Sequence, residues 1–237
     1  TTAGTRGYID AVSPLHRMHA ALVVDYYNTR VMIDFGEDWE GKAADVDPDF
    51  IVITHAHPDH AFGLKSDTGI PVYATDETME KLDRFPISSL KRVIPERSFS
   101  LGKLDFCAYP VEHSTRAPAV GYRITAGVKA VFYAPDLVYI HKREEALQGC
   151  SLYIGDGSTL EKPFVRKQGE RLVGHTPVRT QLAWCGKFQV PEMVVTHCGT
   201  DIVEGDERKI GPRLRRMARE RGVTVTIAAD GMERVLR

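Results

Sequence analysis

Short apolar runs separated by turn residues set the rhythm of the first half of the chain. Ala20–Tyr26, Arg30–Phe35 and Phe50–Thr54 read as strands, the first two joined as a hairpin around Tyr27-Asn28-Thr29. Pro71–Ala74 predicts another short strand. Thr75, followed by Asp76 and Glu77, predicts a helix to about Arg84 with a capping hydroxyl and acid in its first turn. Strands then follow at Lys91–Ile94, Leu104–Tyr109, Val120–Thr125 and Lys129–Tyr133.

The second half mixes the two periods. Ser151–Ile154 and Met193–Thr196 predict buried strands, and Thr176-Pro177 opens a helix with a capping hydroxyl and proline at its first position, reaching about Gly186. A last helix runs from Asp206 to about Arg221 and stops at Gly222. Strands at Thr224–Ala228 and Glu233–Leu236 close the chain. Strands interleaved with helices, with no low-complexity linker, predict one layered α/β domain over residues 1–237. Ile51-Val52-Ile53-Thr54-His55 is echoed by Met193-Val194-Val195-Thr196-His197, which suggests two sheet halves delivering side chains to one seam.

Composition changes this picture little. With 43% hydrophobic residues in 237, the core is ample, and 31 basic against 32 acidic side chains leave a charge of −1. Bulk attraction to nucleic acid or anionic membrane is not implied, so an anionic substrate must be caught locally. Cys107, Cys150, Cys185 and Cys198 contain no C-x-x-C pair and read as free thiols in a reducing cytosol. No run approaches the length of a membrane span, and Thr1-Thr2-Ala3-Gly4 lacks signal-peptide character, so a cytoplasmic location is expected.

Candidate chemistry sits in Thr54-His55-Ala56-His57-Pro58-Asp59-His60, straight after an apolar strand. Three imidazoles and a carboxylate in one loop exceed what one tetrahedral ion can take from it, so two metals are predicted. A dinuclear hydrolytic site needs about three groups per metal and a bridging carboxylate. His113, in Pro110-Val111-Glu112-His113-Ser114, would join His55 and His57 at the first metal. His197 would join Asp59 and His60 at the second, and Asp136, in Phe132-Tyr133-Ala134-Pro135-Asp136, would bridge.

T-H-x-H-x-D-H, then V-E-H, then a strand ending in Asp, then V-V-T-H-C-G is similar to the metallo-β-lactamase-fold superfamily, over nearly the whole chain. The resemblance implies a four-layer αββα sandwich with a dinuclear site, most often zinc, at one edge of its two sheets; manganese or iron can take its place. Val31-Met32-Ile33-Asp34-Phe35-Gly36 resembles the family's first motif and would place Asp34 behind a metal-bound histidine. Ala56 stands where the di-iron flavoprotein branch carries Glu, which favours hydrolysis over redox chemistry. Asp136 stands where the zinc β-lactamases most often carry Cys, which disfavours antibiotic hydrolysis.

Ala3-Gly4-Thr5-Arg6-Gly7 and Gly174-His175-Thr176-Pro177 resemble the RNase Z and cyclic-phosphodiesterase branch, whose non-ligand histidine assists at the scissile phosphate or protonates the leaving group. The short stretch between His113 and Asp136 has no room for a long substrate-gripping arm, which disfavours transfer RNA. The cysteine-containing structural zinc site of the phosphonate-pathway phosphodiesterases is not visible. The resemblance therefore implies a phosphodiesterase that uses a metal-bridging hydroxide, with Asp59, as ligand, and His175 as catalytic residues. The alternatives are an ester, thioester or lactone hydrolase, or a non-catalytic nucleic-acid-binding descendant. The expected partner is a phosphodiester or other small hydrolysable substrate; nucleic acid is not indicated by charge, no membrane is implied, and a homodimer is left open.

His175 is expected at the positive mouth of the helix opened by Thr176, as the best acid candidate; the helix would lower its pKa, so it could instead act as a neutral hydrogen-bond donor to phosphate. His16, His19 and His141 read as surface or satisfied core residues. Gly155-Asp156-Gly157-Ser158 reads as a turn ending a strand rather than as pocket lining. Ile210, Leu214 and Met217 make the Arg213–Arg219 stretch an amphipathic helix with a solvated basic face.

Overall fold

The two apolar half-chains close into two facing sheets. The structure is a computed structural model, and it describes residues 1–236. The first sheet holds β1 (Thr2–Gly4), β2 (Ala21–Tyr26), β3 (Thr29–Ile33), β4 (Phe50–Val52), β5 (Val72–Thr75) and β6 (Leu90–Val93) in sequential order. Pairing is antiparallel from β1 to β3 and parallel from β3 to β6.

The next strands are β7 (Ser98–Leu101), β8 (Leu104–Glu112), β9 (Ala119–Ala126), β10 (Lys129–Ala134), β11 (Tyr139–Ile140) and β12 (Leu152–Asp156). A detached hairpin follows, β13 (Phe164–Gln168) with β14 (Arg171–His175), and then β15 (Glu192–Thr196) and β16 (Thr224–Ile227). The second sheet runs β11-β8-β9-β10-β12-β15-β16, with β7 paired to β8. It repeats the plan of the first: antiparallel through β8, β9 and β10, then parallel through β12, β15 and β16.

Three hydrophobic clusters mark the contacts between four layers. Leu22, Val31, Ile33 and Val52 of the first sheet meet Phe106, Tyr122, Tyr133 and Ile154 of the second between the sheets. The other face of the first sheet, with Met32, Ile51 and Val72, is covered by Trp39, by Ala61 of α2 (Pro58–Ala61) and by Leu82 of α3 (Asp76–Leu82); Ala43 of α1 (Ala43–Val46) packs at its margin. The other face of the second sheet, with Phe132, Tyr153 and Met193, is covered by α4 (Arg143–Leu147), α5 (Val178–Lys187), α6 (Thr200–Val203) and α7 (Glu207–Arg219). Strands buried on both faces explain the unbroken apolar runs at Phe50–Ile53 and Met193–Val195. This is the αββα sandwich expected.

Several boundaries differ from the sequence reading. Glu233–Leu236 is not a strand: pairing with Thr2 ends at Met232, and Leu236 packs on the inter-sheet core without a ladder partner. Thr75 occupies the N-cap of α3, but its hydroxyl donates to Thr78 Oγ1 instead of accepting from the backbone. The helix expected from Thr176-Pro177 begins at Val178 with Pro177 as N-cap, because Thr176 N donates to Leu137 O and keeps the chain extended. β1, β7, β11 and the β13–β14 hairpin were not read from the sequence. α7 is amphipathic as expected, burying Leu214 and Met217 and exposing Arg213, Arg215, Arg216 and Arg219.

Candidate metal centre

The same edge of both sheets delivers the candidate ligands. The chain leaves β4 at Ile53 and turns through His55 and His57 into α2, a single turn with Pro58 at its first position. That turn buries Asp59 and His60 against Gly36. A Cβ on Gly36 would stand 1.9 Å from Asp59 O, so only glycine allows the approach. His113 follows β8, Asp136 follows β10, and His197 follows β15. The ends of strands are where irregular backbone can converge without breaking a ladder.

Three donor clusters share one carboxylate. His55, His57, His113 and Asp136 form the first, Asp59, His60, His197 and Asp136 the second, and Asp136, Asp156, His175 and His197 a third that overlaps the second; within each, the donor atoms lie within 4.8 Å of one another. The first two are the pair that matches the sequence motif. In the first, His57 Nδ1 is 3.0 Å from His55 Nε2 and 3.1 Å from His113 Nε2, and Asp136 Oδ2 is 3.5 and 3.4 Å from His55 Nε2 and His113 Nε2. In the second, Asp59 Oδ2 is 3.1 Å from both His60 Nε2 and His197 Nε2, while Asp136 Oδ2 is 3.3 and 3.5 Å from them. A tetrahedral ion about 2.1 Å from each donor separates its donors by about 3.4 Å. The observed spacings fit an ion at the centre of each of these two clusters, with Asp136 Oδ2 common to both. His60 Nε2, buried without a hydrogen-bond partner, is explained by the same fit.

The far nitrogens of His55, His60, His113 and His197 are tied down. Asp34, wholly buried, accepts at Oδ1 from Thr54 N and Thr54 Oγ1, both 2.8 Å, and at Oδ2 from His60 Nδ1 at 2.9 Å. It sits behind His60 as the sequence motif implied. Its left-handed backbone, φ 69°, is held by these bonds. Thr54 has one hydroxyl proton and gives it to Asp34, so its oxygen accepts from His55 Nδ1 at 3.0 Å and leaves His55 Nε2 bare. His113 Nδ1 donates to Gly174 O at 3.1 Å, and His197 Nδ1 lies 2.9 Å from Ser158 Oγ.

Charge divides the two clusters. Burial, the largest influence on each, holds His55, His57 and His113 below the ordinary imidazole range, His57 at about 4. Those rings are neutral and ready for a cation. Burial opposes charge on His60 and His197 too, but the carboxylates prevail: Asp59 and Asp34 raise His60 well above the usual value, and Asp136, Asp156 and Asp59 raise His197 to about 9. Despite burial, Asp59 and Asp136 stay well below the usual carboxylate range among these imidazoles.

His175 lies outside both ligand sets and differs from its sequence reading. It ends β14 rather than opening a helix. Its Nδ1 stands 2.9 Å from Asp156 Oδ2 and 2.8 Å from Asp136 Oδ1. Burial works against its charge, yet Asp156 and Asp136 push its pKa up to about 11, which favours the protonated, acid form over the neutral donor. Asp156 and Ser158, read from the sequence as a turn, therefore belong to the site. Asp156, wholly buried, accepts from Leu137 N, Ser158 N and His175, and sits at about 2, the imidazolium overcoming the burial. The signal available was Asp and Ser directly past a buried strand, but their partners come from remote segments.

A cavity of about 500 Å³ opens over the centre, lined by His57, Asp59, His113, Asp136, His175 and His197 together with Tyr8, Ile9, Pro58, Phe164 and Asp201. Neither Lys nor Arg lines it among the described residues. His16 and His19 are buried outside the clusters, His16 against Thr5 Oγ1 and His19 against Asp38, and His141 is exposed beside Glu112, as ordinary structural histidines. All four cysteines are free, and Cys198 is wholly buried.

The family model described as "Beta-lactamase superfamily domain" matches residues 29–198, a span that takes in every candidate ligand. The chain belongs to the β-lactamase superfamily. Within it, ribonuclease Z of Methanopyrus kandleri is 26% identical over 277 residues, covering 97% of this chain and 94% of its own. The metallo-β-lactamase-fold protein YhfI from Bacillus subtilis superposes with a TM-score of 0.75 at 18% identity, over 98% of this chain and 96% of its own. A diphosphatase from the PhnP family superposes with a TM-score of 0.74 at 20% identity, over 100% and 97%. The fold is thus the metallo-β-lactamase fold, and its donor set suits divalent metals. No helix among the described residues is long and apolar enough to cross a membrane.

Proposed function

We propose that this superfamily member is a dinuclear metal-dependent phosphodiesterase. His55, His57 and His113 would hold one ion, Asp59, His60 and His197 the other, and Asp136 would bridge them. Zinc suits the imidazole-rich set, and manganese or iron can replace it. When bound, the pair supplies the Lewis acidity that brings the pKa of a water from about 15.7 toward 7 and so provides hydroxide at neutral pH.

The observation that carries the reading is the Asp156–His175 pair. An imidazolium at the cavity wall, a quarter exposed and outside the ligand set, suits a substrate that is itself an anion. Attack on phosphorus builds charge on the phosphoryl oxygens, and the departing alkoxide needs a proton. His175 would deliver it from Nε2, with Asp156 holding Nδ1–H and fixing the ring. A carboxylic ester lacks the ground-state charge this arrangement recognises, so ester, thioester or lactone hydrolysis is the second reading. The ribonuclease and diphosphatase among its relatives both act on phosphate bonds, which supports the first.

The cavity is of a size for a small diester or a chain end, without the broad basic groove of a nucleic-acid channel. Free cysteines support a reducing compartment such as the cytoplasm. The test is hydrolysis of bis(p-nitrophenyl) phosphate beside a p-nitrophenyl ester by the zinc- or manganese-loaded protein, with Asp59→Ala as control. Diester cleavage lost in Asp59→Ala is the expected result; cleavage of the carboxylic ester alone would replace this reading with the second.

A further inference from the structure

The β13–β14 hairpin belongs to neither main sheet, and it sets one face against the cavity. Its register pairs Phe164 with His175, Arg166 with Val173, and Gln168 with Arg171. Residues directly opposite in an antiparallel pair share a face, and so do residues two apart along a strand. One face therefore carries Phe164, Arg166, Gln168, Arg171, Val173 and His175. It is the face turned to the body: Phe164 and His175 line the cavity, Val173 is buried, and Gln168 Oε1 accepts from Thr115 Oγ1 at 2.9 Å. Lys167 and Leu172, paired with each other, lie on the opposite face.

The order of groups along this face is informative. Next to the metal clusters stand His175 and Phe164, a proton donor beside an aromatic ring. One strand pair farther out, about 7 Å along the strands, comes Arg166, and Arg171 follows. Both arginines are exposed, and neither has a carboxylate partner among the described residues, whereas Glu161 nearby is taken by Arg213. Among the described residues the cavity itself offers no Lys or Arg, and the one acidic lining residue outside the ligand set, Asp201, comes from α6. Arg166 and Arg171 are the unpaired cations that this hairpin face offers to an anionic group beyond the scissile phosphate.

We infer that Arg166, seconded by Arg171, selects phosphodiesters whose departing alcohol carries a planar ring and, beyond it, a second anionic group. This rests on the phosphodiesterase reading and on His175 marking the leaving-group side. In the reaction a water oxygen bonds to phosphorus and releases its proton to solvent, while the P–O bond to the departing alcohol breaks. The departing alcohol's oxygen keeps the electron pair and takes the proton of His175, which solvent restores. Phe164 would pack on the ring of the departing group, and Arg166 would meet its anion.

Bis(4-carboxyphenyl) phosphate and its neutral isostere bis(4-carbamoylphenyl) phosphate test this with zinc-loaded wild type, Arg166→Ala, Arg166→Lys and Arg171→Ala. Comparing the probe ratio across variants cancels any difference in leaving-group reactivity. Wild type should favour the carboxylate probe, and Arg166→Ala should lose about tenfold in kcat/KM on that probe through KM, as for a charge-assisted contact. The amide probe should be untouched, Arg166→Lys should keep most of the preference, and Arg171→Ala should lose a smaller part. A probe ratio that stays constant in Arg166→Ala and in the Arg166→Ala/Arg171→Ala double variant overturns the inference and leaves the diesterase reading standing. Turnover of neither probe, or of any phosphodiester, by wild type would remove that reading, and this inference with it.

Discussion

Asp156 Oδ2 accepts a 2.9 Å hydrogen bond from His175 Nδ1, from a carboxylate that is fully buried and also receives the backbone N–H groups of Leu137 and Ser158. The bond fixes which imidazole nitrogen faces the cavity and keeps a proton on it.

That pairing separates proton delivery from metal binding. In His175→Ala, cleavage of diesters with alkyl leaving groups should fall about 10²–10⁴-fold in kcat, the range for loss of a general acid. Substrates with a p-nitrophenolate leaving group, which departs without help, should lose much less. Zinc content measured on the same preparation should be unchanged; a drop would make His175 a ligand.

Asp34→Asn keeps shape but weakens acceptance from His60 Nδ1 and leaves Thr54 with a poorer partner. Outer-shell changes of this kind typically cost 10–100-fold in metal affinity. The loss should fall most on the ion held by Asp59, His60 and His197, and less on the His55–His57–His113 ion, which feels the change only through Thr54. Competitive chelator titration, reading two affinities, checks it.

Metal uptake should depend on pH differently at the two clusters. In the metal-free protein His60 is raised well above the usual value and His197 to about 9, so near pH 7 both carry a proton that an incoming ion must displace. Affinity of that cluster should climb as pH rises toward about 9. The carboxylate pairing that stabilises the metal-free fold through His197 works in reverse: it is fully present below the ordinary imidazole pKa and is lost as pH rises through about 9. His55, His57 and His113 have lowered pKa values, His57 about 4, so the first cluster should stay competent well into mild acid. Calorimetry over pH 5.5–9 should find proton release at the second ion only, and acidification should pass through a one-metal form; simultaneous loss of both ions would contradict it.

Gly174 adopts φ +114°, and a Cβ there would stand 1.8 Å from Phe164 O. Its N–H donates to His113 O at 2.8 Å while its carbonyl accepts from His113 Nδ1. Gly174→Ala should cost about 1–3 kcal/mol through backbone strain alone. It should also lower zinc at the first cluster, because the hairpin and His113 are held by the same two bonds. Thermal unfolding and zinc content together measure it; a variant with full zinc and wild-type Tm would show that the clamp is not needed.

How much of this was legible in the chain depended on distance along it. His55, His57, Asp59 and His60 come from one loop, so their spacing declared them. His113, Asp136 and His197 were legible only as parts of a pattern, each set just past an apolar strand. Asp156 and Ser158 were not legible as site residues, since what defines them is contact with His175 and His197, from segments farther along the chain. The hairpin escaped for a different reason. Phe164–His175 is exposed along most of its length and carries no apolar alternation; its one local cue is Gly169, at φ 63° in the turn. His175 itself was found but misplaced, because Thr176-Pro177 imitates a helix start that a bond from Thr176 N to Leu137 O delays. Glu233–Leu236 has strand composition, but its pairing along β1 stops at the Thr2–Met232 bridge.

The two proposed ion sites each draw from both sheets: His55 and His57 with His113, and Asp59 and His60 with His197, while Asp136 reaches in from the second sheet alone. Two cations placed there would rivet the two halves of the sandwich at one end. Their removal would then do more than silence a reaction, since the seam would be left with two charged imidazoles, His60 and His197, facing the buried carboxylates Asp136 and Asp59 across it. Chelation should therefore open this end of the molecule first, and proteolytic nicking of the metal-stripped protein should begin at the loops that carry the ligands rather than at the far end of the sheets.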